Sequence, residues 1–339
     1  MNKKLSSWLQ TLFFLGLAIF LVWWSIGKIS AAEWQQMKAA LLRTNYWLLL
    51  PVAIALLLSH YSRAMRWKIL MEPLGYRPGN MNTYLAVLIG YFANLMVPRL
   101  GEVLKCTLLA RYEKVPADKL IGTIVAERAF DLICLMLVFA ITIFSQIDII
   151  GTFTVGLLKS MVSGNGRGPN YGRLALLLGG LLLLLLGAVL LLRKFAQYPA
   201  ILKIKKIVRG IWEGLTSVRY VKKKGWFFFH SAAIWFLYLA SIRLGFYAMS
   251  DTQSFGWLPS FSVLSLGSVG MIVTQGGIGA YPILVQETLA LYGLDANVGR
   301  AFGWLLWLAQ SLLIVVAGGL AFLLLPIVNR KKPAAEESV

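Results

Sequence analysis

Acidic side chains are scarce in this chain. Its 339 residues hold 14 aspartates and glutamates against 33 lysines and arginines, a formal charge of +19. In a soluble protein that surplus points to nucleic acid. Here most of it flanks apolar segments, where positive-inside topology and anionic headgroups account for it, so no nucleic-acid partner is expected. Cysteine is scarcer still. Cys106 and Cys134 both lie in apolar segments without metal-ligand spacing, which excludes a disulfide framework and reads as two reduced packing residues. His60 and His230 are solitary, near segment boundaries, and read as packing residues beside indoles or amides. There is no HExxH, Walker A or GxSxG motif, and Gly276-Gly277-Ile278-Gly279 follows no strand, so it is no nucleotide fingerprint. No metal, no cofactor and no enzymatic activity is expected. Long polar stretches are missing too. Outside apolar segments the longest run to about 30 residues, at 146–173 and 193–225, leaving little room for a soluble domain.

What the chain has is apolar sequence, 58% of it. Runs such as Leu174–Leu192 approach or exceed the length of a membrane span, which predicts an all-α polytopic membrane protein. Leu9–Ile26 follows Lys3-Lys4 as a signal sequence would, but no small-x-small cleavage site follows, so it is read as a retained first helix. Six segments can cross fully: 9–28, 46–65, 121–144, 173–193, 226–249 and 302–326. They form a single integral membrane domain over 1–332, with a disordered tail at 333–339.

Two further apolar stretches, 83–112 and 257–292, are broken in the middle. Residues 83–97 as a helix reach only about 22 Å, short of a hydrocarbon core of roughly 30 Å. The first stretch breaks at Asn94 and Pro98-Arg99-Leu100-Gly101-Glu102; the second at Thr274-Gln275-Gly276-Gly277-Ile278-Gly279, followed by Pro282. Lys3 and Lys4 place the N-terminus in the cytoplasm. If 83–112 crossed once, the basic cluster over 193–224, including Lys203, Lys205, Lys206 and Arg209, would lie outside, against the charge rule. Each broken stretch is therefore expected to dip in and return. Three crossings separate the two hairpins, so they enter from opposite sides, as an inverted repeat of re-entrant hairpins. This puts both termini, Arg77, Lys114 and Lys205 in the cytoplasm and Asn165 and Asp251 outside. Residues 199–224 read as an amphipathic helix on the cytoplasmic leaflet.

Charge at membrane depth survives only inside protein or beside a water-filled cavity. That makes Arg99, Glu102 and Lys105 of the first hairpin candidates for a polar site. Glu127 and Asp131, four residues apart, share a face of segment 121–144; Arg128 and Asp131, three apart, are able to pair. These acids either line a cavity or pin the hairpin to segment 121–144, and Glu127 or Asp131 would hold Arg99 or Lys105 until an anion competes. Arg243 lies deep in segment 226–249 with no acid within four positions and is given a cavity role. Glu287 is a proton or cation candidate, or a partner of Arg243 or Arg300. Arg63 and Arg66 read as interfacial, with Arg63 in reach of a headgroup.

The stretch from Ser62-Arg63-Ala64-Met65-Arg66-Trp67, through Asn94, Pro98, Arg99, Gly101 and Glu102, to Glu127-Arg128 resembles the membrane region of the lysylphosphatidylglycerol synthase, or flippase-like, family. That family shows R..RW, N..P.R.GE and ER..D in this order. The second break resembles its PGGxGxxE element, with Gln275 in place of the proline and Tyr281 or Pro282 near the usual acid. The resemblance implies a lipid-handling membrane protein. It does not imply lysyl transfer, because the family's synthetic activity belongs to a separate C-terminal domain that does not fit after Pro326.

The expected function is a lipid translocase of the bacterial inner membrane, moving an anionic phospholipid or a polyprenyl-phosphate-linked lipid between leaflets. Asn94, Arg99, Glu102, Lys105, Glu127, Arg128, Asp131, Arg243, Gln275 and Glu287 are the expected binding residues. Pro98, Gly101, Gly276, Gly277 and Gly279 would turn the hairpins. A coupling ion and a homo-oligomer stay open. So do two rivals: a membrane-embedded enzyme acting on a lipid phosphate, and an accessory subunit whose buried charges are structural.

Overall fold

The computed structural model describes residues 31–97, 99–146 and 221–330. Expectations for segments 9–28, 173–193 and 199–220, for Asn165, Pro98 and Lys205, and for the tail lie outside the described residues. Within them are nine α-helices and no strand: α1 (Ala31–Leu42), α2 (Leu49–Met71), α3 (Asn80–Met96), α4 (Leu100–Glu113), α5 (Ala117–Ser145), α6 (Lys224–Phe246), α7 (Trp257–Val273), α8 (Ala280–Ala290) and α9 (Ala296–Val328). Among the described residues, three helical stretches are long and apolar enough to cross a membrane: Tyr46–Leu74, Lys224–Phe246 and Ala296–Val328. Helix α5, expected to cross, runs 29 residues.

Both broken stretches fold as helix, break, helix. Helix α3 has 17 residues and α4 has 14, about 25 and 21 Å, each short of a full hydrocarbon crossing. Val97 is extended (φ −139°, ψ 127°), as a residue before proline prefers, and Arg99 then turns the chain at φ +65°. Helices α7 and α8, of 17 and 11 residues, are joined likewise. Thr274 is extended, and Gly276, Gly277 and Gly279 follow at φ +62°, +75° and +74°, a conformation cheap only for glycine. The arms then close tightly. A Cβ on Gly101 would overlap the carbonyl oxygen of Gly90, and one on Gly270 would stand 2.9 Å from Cα of Tyr281.

Hydrogen bonds gather the helix ends into two groups. At one end, Lys223 Nζ donates to Glu72 Oε1 (2.7 Å) and Lys68 Nζ to Asn80 Oδ1 (2.6 Å). There too, Asn82 Nδ2 donates to Glu113 Oε1 (2.5 Å) and Asn329 Oδ1 (2.9 Å). At the other end, the Asn45 amide donates to the Ala248 carbonyl (2.8 Å), Gln146 Nε2 to the Leu258 carbonyl (3.1 Å), and Tyr292 touches Gln146. The α3–α4 hairpin thus starts and ends with the first group, and the α7–α8 hairpin starts and ends with the second. Their tips meet inside, where Gly276 faces Leu95. Helix α9 runs past both hairpins, against Leu88 and Phe92 at Gly318 and against Pro282 at Gly303. Its Trp307 Nε1 also donates to the Gly276 carbonyl (2.7 Å).

A buried charge cluster beside a cavity

Helix α2 delivers Arg63 and Arg66, three residues apart and hence on one face, into the interior. Both are buried among the helices, and Arg66 is wholly enclosed. Opposite them on α5 stand Glu127 and Asp131, also on one face. Arg63 Nη1 donates to Glu127 Oε1 (3.1 Å) and to Asp131 Oδ2. Arg66 Nη2 donates to Asp131 Oδ1 (2.5 Å) and lies 3.8 Å from Glu127 Oε1. From the first hairpin, Lys105 Nζ donates to Glu127 Oε2 (2.9 Å) and lies 4.5 Å from the centre of the Trp67 ring. Trp67 is itself enclosed, its indole nitrogen donating to Thr123 Oγ1 (2.8 Å). Glu127 is 0% exposed and joins three cations, so it ties α2, α4 and α5 together.

Three buried cations meet two acids, leaving one positive charge over. A second pair, Arg128 Nη2 to Glu102 Oε1 (2.9 Å), sits at the edge and adds no net charge. The cluster opens on a cavity of about 390 Å³ between α2, α3, α5, α6, the second hairpin and α9. Arg63, Arg128, Asp131 and Tyr91 form its charged end; leucines, isoleucines, Met271 and Tyr281 form most of the rest. The Nε atoms of Arg63 and Arg66 are buried with no hydrogen-bond partner.

The sequence-derived candidates divide. Glu102, Lys105, Glu127, Arg128 and Asp131 come together. Arg128 pairs across to α4 rather than with Asp131 along α5. Asn94 closes the hairpin break, its Oδ1 accepting from the Gly101 amide (2.7 Å), so its carbonyl satisfies one free donor of α4. Arg99 is exposed at the tip, outside the cavity lining, and makes no ion pair among the described residues. Arg243 Nη2 donates to Tyr247 Oη (2.6 Å), and its guanidinium stacks 4.2 Å over that ring. Glu287 is exposed on α8, and Arg300 Nε donates to the neighbouring Gln286 Oε1 (2.5 Å). Gln275 lies in the turn Gln275–Gly277. His60 packs against Tyr91 with the rings tilted by 43° (4.5 Å between ring centres), and His230 sits among Trp226 and Phe229, both in packing positions. Arg63 and Arg66, read from the sequence as interfacial with Arg63 in reach of a headgroup, were not foreseen as the partners of these acids. The signal was present: paired arginines at helical spacing, matching the paired acids on α5.

A helical membrane protein with ion pairs enclosed between its helices and a largely apolar cavity beside them is the class this architecture defines. The chain belongs to the lysylphosphatidylglycerol synthase TM region family, whose description matches residues 8–319. It is also similar to a UPF0104 membrane protein of Methanocaldococcus jannaschii, 24% identical over 285 residues, 77% of this chain and 79% of that one. No solved structure matches.

Proposed function

We propose that the protein is a lipid translocase, flippase-like, that carries a lipid with an anionic phosphate headgroup between the leaflets of the bacterial inner membrane. The phosphate would sit at the charged end of the cavity against Arg63, with the chains along the apolar walls. The observation that carries this reading is the surplus cation: an enclosed cluster of Arg63, Arg66 and Lys105 against Glu127 and Asp131 faces a cavity large enough for a small headgroup. An uncompensated buried charge is costly, and an incoming anion removes that cost. A guanidinium matches a phosphate in two parallel hydrogen bonds, and Arg63 Nε is a donor still free to make one.

In this reading both hairpins are re-entrant and inverted with respect to each other, six further segments cross, and both termini are cytoplasmic. The opposite ends from which the hairpins enter the bundle support it, as do the basic residues Lys68, Arg77, Lys114, Lys223 and Lys224 around the first hairpin's end.

The test uses purified protein in phosphatidylcholine vesicles carrying a trace of fluorescent phosphatidylglycerol in one leaflet. Wild-type protein should move the label faster than protein-free vesicles, and Arg63→Lys, which keeps charge but loses the fork, should move it more slowly. No acceleration by the wild type overturns the reading. If inorganic phosphate binds as tightly as phosphatidylglycerol, the ligand is a free anion rather than a lipid.

A further inference from the structure

The two acids of the cluster are not equivalent. Glu127 is fully enclosed, is absent from the cavity wall and holds Lys105, Arg63 and Arg66. Asp131 is 14% exposed, lines the cavity, and among the described residues forms ion pairs with Arg63 and Arg66 but not with Lys105. One carboxylate is thus locked behind the cations and the other stands in front of them. Asp131 also has a second cation in reach. Arg128 lies three residues earlier on α5, lines the same cavity, and is 44% exposed in its pairing with Glu102.

We propose that Asp131 is a displaceable internal anion that occupies the phosphate position while the site is empty. This deepens the translocase reading and rests on it. As the lipid phosphate arrives at Arg63, Asp131 leaves that guanidinium for Arg128, and the phosphate takes over its hydrogen bonds together with Arg63 Nε. Charge follows simply. With Asp131 seated, the empty group of three cations and two acids carries one positive charge; a singly charged phosphodiester brings it to neutral. Without the Asp131 carboxylate the empty group carries two positive charges. That form would bind anionic lipid tightly, yet would not reorganise across the membrane without a lipid in place. Asp131 is therefore the residue that permits an empty return, and with it net transport rather than one-for-one exchange.

The experiment compares wild type, Asp131→Asn and Asp131→Glu in two sets of vesicles. One is phosphatidylcholine with a trace of labelled phosphatidylglycerol in the outer leaflet. The other has unlabelled phosphatidylglycerol in both leaflets as well. Wild type and Asp131→Glu should move the label in both. Asp131→Asn should bind phosphatidylglycerol about tenfold more tightly, the scale of one competing charge contact. It should lose label movement in the first set and recover it in the second. Equal rates in both sets, or loss in both by a folded protein, overturn the proposal. If Asp131→Asn does not fold, Asp131→Asn/Arg66→Gln restores the wild-type surplus of one cation and keeps Arg63 free. It should still bind phosphatidylglycerol more tightly than wild type, and unchanged affinity overturns the proposal. Failure of the wild type to move label in either set removes the translocase reading itself.

Discussion

Arg99 shows a conflict between local backbone preference and a retained side chain. At φ +65° it occupies the left-handed region that glycine enters freely and a bulky residue does not. A non-glycine residue held there costs on the order of 1–3 kcal/mol. Nothing among the described residues rewards it with an ion pair, and the corresponding turn in the second hairpin uses glycines. Arg99→Gly should therefore raise the melting temperature in detergent. If the guanidinium attracts headgroups to the hairpin tip, the same substitution should slow label movement in vesicles. A gain in stability with unchanged transport would remove any substrate role for Arg99. How the other charges pair was legible only in part. The spacing of Glu127 and Asp131 placed them on one face, and Lys105 was a foreseeable partner. The pairing of Arg128 with Asp131 was allowed by spacing but did not form. Three residues along a helix amount to about 300°, so Arg128 stands roughly 60° round from Asp131, and the two side chains turn to α4 and α2 respectively. That choice depends on which helix lies on which side, and a single segment does not encode it.

The first hairpin depends at its scale on a contact without side chains. Gly101 approaches Gly90 so closely that any Cβ would overlap the Gly90 carbonyl, whereas a Cβ on Gly90 would meet the Gly101 carbonyl at 3.1 Å. Close backbone approach through small residues is how helices pack where lipid offers no hydrophobic drive. It also sets the depth of α4, and so brings Lys105 to Glu127. Gly101→Ala should push the arms apart and destabilise the protein by about 1–3 kcal/mol, the usual scale of overpacking. Gly90→Ala should cost less, and thermal unfolding in detergent ranks the two. Equal or reversed ranking would mean that the arms are free to slide. In the first hairpin the turn falls on Arg99, with Gly101 already inside α4, but in the second the break was readable from Gly276, Gly277 and Gly279, which take positive φ. The closeness of the arms was not, since a glycine pattern marks small residues without saying what fills the space beside them.

Across the whole molecule, the decisive question is whether each hairpin's two ends lie on the same side of the membrane. Arg77 and Ala117 flank the first hairpin, and Gln253 and Ala296 flank the second; all four are exposed. In a background with Cys106 and Cys134 replaced by serine, single cysteines at these positions can be probed in intact cells with an impermeant thiol reagent. Cysteines at 253 and 296 should react from outside. Those at 77 and 117 should react only after the cells are permeabilised. The physical basis is twofold. Neither arm of either hairpin reaches across roughly 30 Å of hydrocarbon. The hydrogen bonds at Asn82 and Glu113 also hold both feet of the first hairpin together, as Gln146, Leu258 and Tyr292 do for the second. Opposite labelling of 77 and 117 would make the first stretch a true crossing. It would then place the basic run over 193–224 on the outer face and dissolve the inverted arrangement. Same-side labelling of each pair, on opposite faces for the two hairpins, leaves their tips meeting between the leaflets. The surplus cation of the cluster would then lie where a translocated headgroup has to pass.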